Sequence, residues 1–102
     1  MYTKYFQVEG RAEEIKIKTG YDLGGYNYFS GGSSRRGYYL YAQPVTRGNG
    51  FESCVLFDGH KTLLKEVSRQ SSKAEKEAER LAETMAEQHA KIIAEQKGWT
   101  LA

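Results

Sequence analysis

The chain changes composition once, near residue 59, and that change limits what it can fold into. Twelve of its 13 aromatic residues lie between Tyr2 and Phe57, and ten of its 11 glycines lie at or before Gly59. Residues 60–102 are instead rich in Ala, Glu, Lys and Gln. These are strong helix formers, whereas aromatic and β-branched residues suit a pleated surface. The expected fold is therefore α+β. An antiparallel sheet of about four strands occupies residues 1–57, a short helix follows at 58–69, and one long amphipathic helix at 72–97 packs on one sheet face. A length of 102 residues predicts a single domain with one core.

Alternation places the strands. Tyr2, Phe6 and Val8 fall on one side of the first segment, and Thr3, Tyr5, Gln7 and Glu9 on the other. Gly10 breaks it, and Ile15-Lys16-Ile17-Lys18-Thr19 reads as the returning strand of a hairpin with its Ile face inward. Six glycines between residues 20 and 37 predict two turns around the short piece Tyr26-Asn27-Tyr28-Phe29. Tyr38-Tyr39-Leu40-Tyr41-Ala42-Gln43 is the clearest strand; Pro44, which has no N–H to donate, puts it at an edge or a bulge. Arg47-Gly48-Asn49-Gly50 supplies a tight reversal, and Phe51-Glu52-Ser53-Cys54-Val55-Leu56-Phe57 runs back as the next strand.

Asp58 is placed to cap a short helix with Leu63, Leu64 and Val67 on one face. Ser72, three residues before Glu75, has the spacing of a capping box that opens the long helix, and Gly98 closes it. Ala74, Ala78, Leu81, Ala82, Met85, His89, Ile92 and Ile93 share a stripe at 3.6 residues per turn. A coiled coil fails as an alternative, because a heptad frame on Ala78, Met85 and Ile92 puts Gln88 and Glu95 in the seam.

Few residues carry chemistry. Cys54 lies mid-strand among apolar neighbours, where a cysteine behaves as a small hydrophobe. His60 is expected at a helix start as a surface residue, and His89 in the apolar stripe as a core or rim histidine with one hydrogen bond. There is no CxxC or HxxxH spacing, no GxGxxG and no GxxxxGK[ST], so neither a metal site nor a phosphate cradle is indicated, and no cofactor is expected. The glutamates at 75, 77, 79, 83 and 87 face lysines and arginines at helical spacing, as in Glu87/Lys91, each pair being worth about 0.2–0.5 kcal/mol. With no nucleophile–base set, the expectation is a protein that is not an enzyme.

One segment stands out. Residues 23–51 hold Arg35, Arg36 and Arg47, no acid, and seven aromatic rings. Tyr39 and Tyr41 share a strand face with arginines at both ends, so the candidate binding residues are Arg35, Arg36, Tyr39, Tyr41 and Arg47. Such a surface serves as a protein-binding hot spot or stacks unpaired bases. The competing expectation is that the tyrosines cover a small core. In its order of four strands followed by a helix, the chain resembles the Whirly-type and PUR-type single-strand binders. The likeness is one of element order, and it implies a sheet face that binds single-stranded nucleic acid.

The first expectation for function is a small non-catalytic protein that binds a larger protein or protein–nucleic acid complex stoichiometrically. This is the accessory type carried by phages and mobile elements, including inhibitors of host defence such as CRISPR. The alternative is a single-stranded nucleic-acid-binding module on the same face, against which a net charge of only +2 counts. A single cysteine and the absence of an apolar leader or span lead to the expectation of a cytoplasmic protein without membrane contact. A free edge at Tyr2–Val8 or Phe51–Phe57 would offer a route to a homodimer.

Overall fold

A computed structural model of the chain describes residues 1–27, 32–48, 50–52 and 58–102. Its elements are β1 (Thr3–Gln7), β2 (Glu14–Asp22), β3 (Gly25–Asn27), β4 (Gly32–Ser34), β5 (Gly37–Val45), β6 (Arg47–Gly48), β7 (Phe51–Glu52), β8 (His60–Glu66) and α1 (Ser72–Lys97). Four strands form one antiparallel sheet in the order β1-β2-β5-β8, and two small ladders, β3-β4 and β6-β7, project from it.

The register assigns the faces. Ile15, Ile17 and Thr19 stand opposite Pro44, Ala42 and Leu40, and this side meets α1. Ile15, Ile17 and Leu40 are fully buried against Ala82, Ala86, Ala90 and Ile93 of the helix. Each such aliphatic side chain contributes about 1.5–3 kcal/mol by leaving water. A second, smaller cluster of Tyr38, Ala74 and Ala78 continues the core under the start of the helix, with Tyr21 edge-on to Tyr38 at 5.1 Å.

The fourth strand is not the one expected. Residues 58–69 contain no helix: His60–Glu66 is a strand, and residues 53–57 of the expected strand lie outside the described residues, with only Phe51–Glu52 assigned to β7. Leu63 and Leu64 are adjacent apolar residues, a spacing that fits a helix face. In the sheet a bulge opposite Tyr38 and Tyr39 accounts for them: Leu63 pairs with Tyr39, and Leu64 and Lys65 both reach the helix side. The sheet thus extends to residue 66. Pro44 lies in a central strand rather than at an edge: it stands opposite Ile15 of β2, while the ladder to β8 ends at Ala42, two residues before it.

The helix cap sits one residue earlier than the expected box. Ser71 is the N-cap, its hydroxyl accepting from Ala74 N at 3.1 Å, while Tyr38 OH donates to Ser71 O and accepts from Ser71 N. Gly98 closes the helix at φ 74°, with Trp99 N donating to Ala94 O. Beyond it, the chain returns to β1: Val8 bridges Leu101, and Ala102 N donates to Gln7 O.

Candidate contact surface opposite the helix

The alternation that sends Ile15, Ile17 and Leu40 to the helix sends Lys16, Lys18, Asp22, Tyr39, Tyr41, Tyr5, Lys61 and Leu63 to the other side. Tyr41 stands between Lys18 of β2 and Lys61 of β8. The Lys18 ammonium is 5.7 Å from the Tyr41 ring centre, and that of Lys61 is 4.8 Å from the Tyr39 ring. Lys61 Nζ also donates to Asp22 Oδ2 at 2.8 Å. This ammonium and the Gly24 amide hold the Asp22 carboxyl below its ordinary value, while burial, then the Asp22 charge, raise the Tyr41 phenol.

The five residues expected to bind do not meet in one cluster. Arg35 Nη1 pairs with Glu66 Oε2 at 3.3 Å. Arg36 is exposed and engaged with the loops, Nε donating to Leu23 O at 2.9 Å and Nη1 to Ser68 O at 3.5 Å. Tyr39 is on the expected face but only 5% exposed, its hydroxyl donating to Arg35 O at 2.6 Å. Tyr41 is half-buried. Arg47 lies beyond the far end of β5, whose nine residues span about 30 Å. The acid-free segment is a linear property: in the fold Glu14 pairs with Arg47, Glu66 pairs with Arg35, and the Asp22 charge acts on Tyr41.

At the Arg47 end these contacts form a connected set. Arg47 grips Glu14 with two parallel bonds, Nε to Oε1 at 2.8 Å and Nη2 to Oε2 at 2.9 Å, and its guanidinium carbon lies 3.7 Å from the centre of the Tyr5 ring. Tyr5 OH donates to Glu52 Oε2 at 2.7 Å, and Lys16 Nζ to Glu52 Oε1 at 2.8 Å. Lys16, then Tyr5, pull the Glu52 carboxyl below its ordinary value, and the bonds to Glu52 raise both Tyr5 and Lys16. Gly50, at φ 78°, turns the chain into Phe51, a residue 79% exposed that shares a groove with Arg47. Tyr5, Arg47, Phe51 and the two glutamates line a shallow groove.

Of these, the sequence reading had Arg47 alone. Alternation sets Tyr5 on the face opposite Phe6, as the pairing with β2 does, but Lys16 and the acid Glu52, 36 residues beyond Lys16, are brought together only by the fold. Phe51 opens the expected strand and also opens β7, but the strand reading gives no sign of its exposure.

Cys54 lies outside the described residues, so its surroundings bear no chemical reading. Among the described residues no group of three or more His, Cys, Asp or Glu side chains could hold a metal ion, and no helix is long and apolar enough to cross a membrane. His89 is 8% exposed, and among the described residues its ring meets the His60 ring at hydrogen-bond distance. No family model matches the chain, and neither a curated protein nor a solved structure matches it.

Proposed function

We propose that this is a non-catalytic binding protein that acts by stoichiometric contact with a larger protein, and that the Tyr5–Arg47–Phe51 end of the outer sheet face is its contact surface. The observation that carries the reading is Phe51, an aromatic residue 79% exposed in the same groove as a guanidinium already fixed by Glu14 and Tyr5. Aromatic and arginine side chains dominate the energetics of protein interfaces, and a fixed arginine has less rotamer freedom to lose on binding. The carboxylates of Glu14, Glu52 and Asp22 offset the nearby cations. A surface of balanced charge suits a protein partner better than a phosphate backbone. A partner within a protein–nucleic acid machine, and a role as a phage or mobile-element inhibitor of a host defence such as CRISPR, are the finer form of this reading.

A single-stranded nucleic-acid module is the second reading, favoured by Tyr41 between Lys18 and Lys61. One experiment separates them. The immobilised protein and its Phe51→Ala and Arg47→Ala variants are offered a lysate of the cells that encode it, and labelled single-stranded DNA in parallel. The protein-contact reading predicts that a partner held by the wild type is lost at least tenfold by both variants, with no DNA bound at about 50 mM salt. Equal capture by all three would remove the site. DNA binding that weakens with salt at a slope near −0.7 per phosphate contacted would move the face to nucleic acid.

A further inference from the structure

Helix α1 meets the sheet largely through alanine and isoleucine, and a pair of imidazoles interrupts that seam. His60, the first residue of β8, stands opposite Ala42 on the helix-covered face; His89 lies within α1. His60 Nε2 and His89 Nδ1 are 3.0 Å apart, with ring planes tilted by 47°. At that separation one ring donates its N–H and the other accepts it. Two neutral rings satisfy the bond, and so does a pair holding one extra proton. Two extra protons point N–H at N–H and set two positive charges at hydrogen-bond distance within a helix–sheet seam.

Among the described residues, the charged groups near the two rings are engaged elsewhere. On α1, His89 is flanked toward the core by Met85, Ala86, Ala90 and Ile93, while Glu87 and Lys91 are exposed and pair with each other at 3.8 Å. On β8, Thr62 is uncharged, and Lys61 turns to the other face and binds Asp22. Before β8, Asp58 is engaged by Lys97 at 2.7 Å. The facing residues of β5 and β2, Ala42 and Ile17, are apolar. Among the described residues the two rings and a carboxylate form no group that could hold a metal ion. Burial first, and then the nearby His60, hold the His89 pKa below its ordinary value.

We propose that the His60–His89 contact is an acid-sensitive latch: unprotonated or singly protonated it ties β8 to α1, and doubly protonated it drives them apart. The unfolded chain takes up both protons near pH 6.5, whereas the folded pair resists the second. The folded state then binds fewer protons, so its stability is full above about pH 6.5 and falls as pH drops through that value. For one excluded proton, the unfolding equilibrium constant rises about tenfold between pH 7.5 and 5.5, a window above most carboxylate titrations.

Histidine-labelled NMR spectra across pH, with urea unfolding at both pH values on the wild type and His60→Gln, test this. The latch predicts that the two wild-type rings titrate as a coupled pair, the second proton entering well below the ordinary histidine range, and that His60→Gln loses most of the tenfold change. Two independent titrations near pH 6.5, or a full tenfold change kept by His60→Gln, would overturn it. If the variant does not fold, the wild-type titration decides alone.

Discussion

Gly37 opens β5 where β8 passes so close that a Cβ would lie 2.2 Å from the Lys65 carbonyl oxygen and 3.0 Å from Glu66 Cα. Both obstacles are backbone, so relief requires the strands to part beside the bond from Val67 N to Arg36 O. Gly37→Ala should cost about 1–3 kcal/mol in urea unfolding; a change below about 0.5 would contradict the close crossing. Gly20 differs, because the atom a Cβ would meet, at 3.2 Å, is the Tyr41 ring edge, which can swing. The arginines also show how position decides role. Arg36 closes loops through backbone carbonyls, whereas Arg47 is held by a carboxylate and a phenol at the edge of a groove.

In α1, alanine recurs every fourth residue from Ala74 to Ala94, and all six are buried. Their small side chains form the ridge that lets the helix lie close to the sheet, while Leu81, expected in the stripe, is 42% exposed. Ala82→Leu should therefore cost about 1–3 kcal/mol by overpacking, and Leu81→Ala well under 1; thermal or urea unfolding of the pair reads the difference, and the reverse order would contradict the ridge. The helix and Gly98 were legible because propensity and a positive-φ stop act locally, whereas its buried stripe was read too far toward the large residues, since apolar pattern does not measure how closely a helix approaches. β8 was illegible for a related reason. Asp58 with Leu63, Leu64 and Val67 satisfies a helix, and only the bulge against Tyr38 and Tyr39 turns adjacent leucines into a strand. The candidate site was the least legible part: Glu14, Lys16 and Glu52 meet Arg47 and Tyr5 through pairing that no linear window contains.

Across the whole molecule, α1 has 26 residues, about 39 Å of helix against a longest extent of 42 Å, so one rod backs the entire sheet. Such a layout commits one face to the core and leaves the other uncovered by the helix, with cation–carboxylate pairs along it and Phe51 exposed at the β6–β7 turn. The most direct measurement places a photo-activated cross-linking phenylalanine analogue at position 51 and, as a control, at position 81, in cells that encode the protein. The protein-contact account predicts one discrete, nuclease-resistant protein adduct from position 51, competed away by excess wild type but not by Arg47→Ala, and none from position 81. Equal adducts from both positions, a nuclease-sensitive adduct, or none from position 51 would contradict it.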